Sequence, residues 1–396
     1  MYLCISPKEW ELHRANKNNN KKISKILGVG VEEIEKRCKN AVYVFLDKLY
    51  DEKEKALHHY YRADKKYLSE MDSGNFLMAL NYLTMYDRYN DNGMLQKAEN
   101  CFLWAYRNTT EIHPMFTWQG GVRDGFKPHE LYVKYTGDAY ITSLGLYQRT
   151  QNEECLFYAK QFHNFIKQAQ KEGYKYKFNT NTYSWLEKGF CWWSFGYPVI
   201  SYLEHFSITK DDKYFQRAIE WGEHGLSLQS RDGAFYLIDG EFWNSDLTAM
   251  ELRALVFLYE VTKAEKFLNS AERFAQWLIK NQREDGCWPI GIDKDGEVCA
   301  PNVGPGDTPN IGISFLRLYH VTKNTEYLDA AIKTVRYSLQ IQAVQDGRYP
   351  FYLDDSCVKW GFWSWEPLYD YSLSGDQSVH HIRGMLFLTD YLSNNL

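Results

Sequence analysis

Long apolar runs are absent from this chain, and with them goes any helix that could span a bilayer. Residues 1–22 lack the basic start, apolar stretch and small-residue cleavage site of a secretory leader, so a cytoplasmic location is the expectation. Blocks of lysine or arginine are missing too. With a net charge of −5 and an isoelectric point near 6.2, the chain offers no basic face to nucleic acid or to an anionic membrane. Its eight cysteines, at 4, 38, 101, 155, 191, 287, 299 and 357, include no C-x-x-C pair, which fits reduced, partly buried thiols rather than a disulfide framework. No H-E-x-x-H, Walker loop, G-x-G-x-x-G or G-x-S-x-G occurs, and the adjacent His380 and His381 fall on different faces of a helix. Neither a metal nor a cofactor is expected.

What is present is a repeated phrase. Its clearest copies are Leu258-Tyr259-x-x-Thr262-Lys263 with Phe267, Leu268 and Ala271, and Leu318-Tyr319-x-x-Thr322-Lys323 with Tyr327, Leu328 and Ala331. Leu146-Tyr147-x-x-Thr150-Gln151 is close behind, and weaker copies run through Phe206, Thr209 and Lys210 and through Tyr86, Tyr89 and Met94. The copies recur at intervals of roughly 60 residues, the length of a helix hairpin plus a long loop. An aromatic-rich helix ends near the threonine, a short polar turn follows, and the Tyr/Phe-Leu pair opens the apolar stripe of an antiparallel neighbour.

The pattern predicts one set of helices, aromatic and rich in small residues, over 72–89, 130–149, 190–207, 246–261, 308–321 and 377–393. A second, amphipathic set is predicted over 31–50, 93–110, 151–172, 210–228, 263–283 and 324–342. Six and six make a double ring, an all-α (α/α)6 toroid over residues 31–396 preceded by an extension over 1–30. The N-terminal helix partners the last inner helix, which brings the termini together. Within this scheme Gln282-Arg-Glu-Asp285-Gly286-Cys-Trp288 resembles the QW motif of terpenoid cyclases, with weaker echoes at Gln342 to Tyr349 and Arg231 to Tyr236. The glutamine amide can satisfy carbonyls left open at a helix end while the tryptophan covers the turn, a mechanical job. The D-x-D-D cluster of cyclase chemistry is absent.

The long connections between hairpins carry Trp118, Trp185, Trp192, Trp193, Trp243, Trp288, Trp363 and Trp365, and such a cup of indoles suits the faces of a sugar. Carboxylates accompany them: Asp72, Asp124, Glu187, Asp246, Asp307, Asp354, Asp355 and Glu366. Glycoside chemistry commonly uses two carboxyl groups, one of them raised in pKa by apolar surroundings. Asp246 leads, with Glu187 or Asp307 as its partner. Any of the helix-start acids is also a good cap. Arg123 or Arg383 would hold a sugar carboxylate, and Asp124, His129 and His381 complete the expected lining.

The double ring, with tight turns on one side and Trp/Asp loops on the other, resembles the six-hairpin glycosidase superfamily, most closely the unsaturated uronyl hydrolases. That resemblance implies Asp246 as general acid/base and places Glu187 where the family has a second Asp. A Trp-x-Arg-Gly-x-x-Trp-like segment of that family is absent here, and Glu187 is not Asp. A uronate C5-epimerase or polysaccharide lyase on the same fold therefore stays open, with Tyr369, Asp370, Tyr371, His380, His381 and Arg383 as its residues, as does a glycan-binding toroid without turnover. The expectation is an oligosaccharide-processing hydrolase, monomeric or homodimeric, with no nucleic-acid or membrane partner.

Overall fold

The computed structural model describes residues 19–125, 127–186, 194–237, 242–366 and 370–395. Helices α1 (Asn20–Leu27) and α2 (Val31–Asn40) come first, and α2 continues through a π-helical stretch, Ala41–Leu46, to Leu49. Five hairpins and a last helix follow: α3 (Gly74–Tyr89) with α4 (Asn92–Thr109), α5 (Val133–Thr150) with α6 (Glu153–Lys171), and α7 (Gly196–Thr209) with α8 (Asp212–Leu228). Next are α9 (Glu251–Thr262) with α10 (Glu265–Asn281), α11 (Asp307–Thr322) with α12 (Thr325–Ile341), and finally α13 (Gly375–Asn395). The odd-numbered helices from α3 onward form the inner ring, each packed on the next, and α13 closes it against α3. The even-numbered helices form the outer ring, and this is the (α/α)6 toroid read from the sequence.

Amphipathicity explains the two layers. Outer helices bury one stripe, as Phe267, Ala271, Phe274 and Leu278 do on α10, while inner helices are buried almost all round, as from Glu251 to Leu258 on α9. The extension is not loose on its described side. Ile23 and Leu27 of α1 are buried, and α1 packs on α12 and α13.

Short strands that the helical pattern does not announce dress the loop face. They are β1 (Tyr50–Asp51), β2 (Ala56–Leu57), β3 (Tyr60–Arg62), β4 (Tyr67–Leu68), β5 (Val122–Asp124), β6 (Lys127–Tyr132), β7 (Lys177–Asn179) and β8 (Ser184–Trp185). The others are β9 (Phe242–Asn244), β10 (Gly291–Asp293), β11 (Val298–Ala300) and β12 (Ser372–Ser374). Two of the sheets matter for the site. The antiparallel order β12-β3-β4 hangs the N-terminal hairpin over the start of α13, and β11-β10-β9 leads directly into Ser245 and Asp246. None of the described helices is long and apolar enough to cross a membrane.

Candidate active site

All six inner helices begin on the loop face, so their positive dipole ends converge there. Five of them carry no side-chain cap bond at Ser73, Tyr132, Phe195, Met250 or Gly306, whereas Asp91, Asn152, Asp211 and Asn324 each cap an outer helix.

At the centre stand Asp246, on the single turn Ser245–Thr248, and Asp307, the first residue of α11. Lys134 Nζ lies 3.2 Å from Asp246 Oδ1, and Ser245 Oγ donates to Asp307 Oδ2 at 3.0 Å. Burial, reinforced by the charge of Asp246, holds the Asp307 carboxyl well above the usual carboxylate range, against the opposing pull of Ser245 and Lys134. A helix N-terminus contributes only about 0.3–1 kcal/mol toward ionisation, too little to reverse desolvation beside a like charge. One turn below Lys134, Asp138 is pushed up to about 7 by burial and by the charges of Asp246 and Asp376, with Lys134 working against them. Burial disfavours the Lys134 ammonium, yet its pairing with Asp246 raises it above the ordinary lysine value, over the ring of Tyr135 at 5.3 Å. The result is a carboxyl group raised above its usual range beside an ion-paired carboxylate.

On the side where the ring closes, His59 projects from the turn between β2 and β3. Its Nδ1 lies 2.9 Å from Asp72 Oδ2 and 3.0 Å from Asp72 Oδ1, and its Nε2 lies 3.6 Å from Asp376 Oδ2. Burial works against its charge, but Asp72, Asp376 and Asp124 raise it to about 10. Space here is made by glycine: a Cβ on Gly74 would sit 2.9 Å from Asp72 Oδ1, and one on Gly125 would sit 2.6 Å from Asp72.

Two buried guanidiniums belong to the deeper inner surface. Arg253 Nη2 donates to Asn310 Oδ1 at 2.7 Å while its buried Nε has no hydrogen-bond partner among the described residues, and Arg383 lies over the ring of Phe387. Burial and the charges of Arg383, Arg253 and Lys134 hold His380 well below the ordinary histidine value, hence neutral. Glu251, fully buried beside Ser194 and Gly196, is pushed up to about 8 by burial.

The residues anticipated from sequence therefore divide. Asp246, Asp307 and Asp124 meet at the mouth, the last through its field on His59 and Tyr135, and Arg383 lies beneath. Glu187, Trp192 and Trp193 lie outside the described residues. Trp243 and Trp363 are fully buried, the first against Trp277 and the second donating to the Tyr349 carbonyl, so both pack the toroid instead of lining its mouth. His381 is buried on the far face of α13, stacked on Phe362 and bonded to Ser338, because adjacent helix positions diverge by about 100°. Trp118 stacks between Phe116 and Phe178, Trp365 is half-buried, and His129 sits exposed on β6. Arg123 pairs with Glu111 at 3.2 Å rather than with its neighbour Asp124.

Glu366 belongs to a separate knot, accepting from Tyr337, Tyr349 and Arg348. Asp285, Cys287 and Glu366 bring possible ligand atoms within 4.8 Å of one another. Arg348 Nη1 already fills the gap between the two carboxylates, at 3.1 Å from Asp285 and 2.5 Å from Glu366, and burial pushes the Cys287 thiol up, so the group suits a guanidinium better than a cation. Sequence reasoning passed over Lys134, Asp138, His59 and Asp376. The spacing of Lys134 and Asp138, four apart in a helix otherwise aromatic or small, was the available signal.

No family model matches the sequence, and no curated protein matches it. Solved structures do resemble it in fold. A D-mannose isomerase aligns over 91% of this chain and 97% of its own, with a TM-score of 0.72 and 12% identity. A cellobiose 2-epimerase from Bacillus thermoamylovorans covers 92% of this chain and 100% of its own at TM-score 0.67 and 13% identity. The unsaturated glucuronyl hydrolase from Bacillus sp. GL1 covers 90% and 96% at TM-score 0.63 and 12% identity. The chain thus has the six-hairpin toroid fold.

Proposed function

We propose that this chain is a carbohydrate-processing enzyme, a glycoside hydrolase in which Asp307 is the general acid and Asp246 its carboxylate partner. The observation that carries the reading is the contrast in surroundings: burial and the charge of Asp246 hold the Asp307 carboxyl well above the usual carboxylate range, while Asp246 pairs with Lys134 at 3.2 Å. A carboxyl group raised in this way beside an ion-paired carboxylate suits the roles of acid and base. Asp307 would protonate the leaving oxygen, and Asp246 would activate water or attack the anomeric carbon. Arg253, with its unpartnered Nε, and Arg383 support a uronic acid as the sugar bound, its carboxylate meeting guanidinium. The occurrence of carbohydrate-acting enzymes among the fold neighbours agrees with this class.

A second reading rests on His380. A neutral imidazole near Lys134, Arg253 and Arg383 could take a proton α to a carbonyl while the cations steady the enolate, the chemistry of an epimerase or isomerase. Incubation with saturated and 4,5-unsaturated uronyl oligosaccharides separates the two. New reducing ends, or loss of the enol-ether absorbance, are the expected result, with turnover falling at least 100-fold in Asp307→Asn. Solvent deuterium entering an intact sugar, without new reducing ends, would instead select the His380 chemistry.

A further inference from the structure

The strongest unused feature of the mouth is the cation that bridges its closure seam. His59 comes from the N-terminal hairpin, Asp72 immediately precedes α3, and Asp376 lies in the first turn of α13, the two inner helices that meet where the ring closes. We propose that His59 is a positioning residue for the acid/base pair, pinning the entrance hairpin to both sides of the seam and setting the field that Asp376 exerts on Asp307 and Asp138. This rests on the reading of Asp307 and Asp246 as the catalytic pair.

Geometry carries the argument. Both ring nitrogens face carboxylates, Nδ1 within hydrogen-bond distance of Asp72 at 2.9 Å and Nε2 at the ion-pair distance of 3.6 Å from Asp376, an arrangement that suits an imidazolium, with a proton on each nitrogen, better than a neutral ring. The carboxylates are themselves fixed. Asp72 Oδ1 accepts from the Gly74 amide at 2.8 Å, and Asp376 Oδ1 accepts from the Gln377 amide at 2.6 Å and from the Ser374 hydroxyl. Other groups facing His59 are Asp124 from β5 and the ring edge of Tyr60, 5.8 Å between centroids. Backbone strengthens the strap, because Leu373 pairs with Tyr61, Ser374 pairs with Tyr60, and the Gly375 amide donates to the His59 carbonyl at 2.9 Å. Asp376 in turn raises both Asp138 and Asp307. With the imidazolium gone, the charge of Asp376 would act on them uncompensated.

The test needs no substrate. In the full chain, imidazole nitrogen NMR is expected to find His59 doubly protonated from pH 6 to 8, and carboxyl carbon NMR follows Asp307 in the wild type, His59→Gln and His59→Lys. Loss of the cation in H59Q should raise the Asp307 midpoint by about one pH unit, and lysine should restore it. A His59 ring that titrates near its ordinary value overturns the proposal even if H59Q fails to fold, as does an Asp307 midpoint unmoved in a folded H59Q. Failure of every saccharide to turn over would sink the hydrolase reading while leaving these titrations to decide the role of His59.

Discussion

Single residues at the mouth show how burial outweighs local preference. Glu251, Asp138 and Asp307 all stand in the first two turns of inner helices or just before them, where the dipole favours anions, yet all three are raised by burial. Glu251 gives the cleanest test because it is fully buried and both its oxygens lack a hydrogen bond of good geometry. Its folded pKa of about 8 lies above the ordinary 4.5, so between these values the folded chain binds the extra proton and stability falls as pH rises. Glu251→Gln removes that loss. The variant should match the wild type near pH 4 and exceed it by about 1–3 kcal/mol at pH 9 in urea unfolding; equal curves at both pH values would refute the assignment. Asp246 and Asp307 were legible in the sequence because helix-start acids in long loops stand out. His59 was not, since nothing local distinguishes it from His58; of its partners Asp72 is reached through the turn back of the N-terminal hairpin, and Asp376 is brought beside it only by ring closure.

At the scale of the element, the repeated phrase becomes a connector with every part assigned. Thr262 donates to the Leu258 carbonyl and accepts from the Ala264 amide, and Thr150, Thr209 and Thr322 do the same in their turns. The following residue takes the left-handed C-cap, with φ of 56° at Gln151, 59° at Lys210, 58° at Lys263 and 61° at Lys323. The lysines lie over the aromatic ring four positions back, Lys263 over Tyr259 at 5.5 Å and Lys323 over Tyr319 at 5.7 Å. Connectors of this kind are readable from one sequence because their bonds are local. On the opposite face the glutamines do more than cap. Gln229 and Gln282 each donate to a carbonyl of their own turn, Gly233 and Gly286, and Gln342 donates to the Trp360 carbonyl; all three also donate to a carbonyl on the next outer helix: Ser270, Ala330 and Arg37 respectively. Trp288 covers its turn by donating to the Leu278 carbonyl at 2.9 Å. Close approach makes glycine obligatory beside it, since Gly286 has φ of +99° and an added Cβ would lie 2.3 Å from the Lys333 carbonyl oxygen. Gly286→Ala therefore combines backbone strain with a clash and should cost about 2–4 kcal/mol. A thermal midpoint equal to the wild type would show that the turn yields instead.

Over the whole molecule, closure is the property on which everything else depends, because the site is assembled from helices of different hairpins. The inner ring closes through Arg88 of α3, which donates to Asp390 of α13 at 2.8 and 3.1 Å and to Glu35 of α2 at 2.6 Å. Arg88 and Asp390 side chains are only 2% and 4% exposed. Similar ties join neighbours elsewhere in the ring, Arg149 with Asp87 and Arg317 with Glu260. The outer ring closes between α12 and α2, where Gln342 donates to the Arg37 carbonyl and Arg37 Nη1 donates to the Leu339 carbonyl, both at 3.3 Å. Reading six hairpins from the sequence made closure an inference from counting, whereas the ionic seam could not be read, its partners Arg88 and Asp390 being 302 residues apart. A buried ion pair is worth little against well-packed apolar groups, but half of one is expensive. Arg88→Met strands Asp390 and should lower stability by about 3–5 kcal/mol, opening the termini to limited proteolysis before the remaining hairpins. Adding Asp390→Leu removes the stranded charge and should recover most of that loss. If the single variant resists protease as the wild type does, the seam is not what holds the ring shut; if the double variant is no better than the single, the missing guanidinium matters through Glu35 on α2 rather than through Asp390.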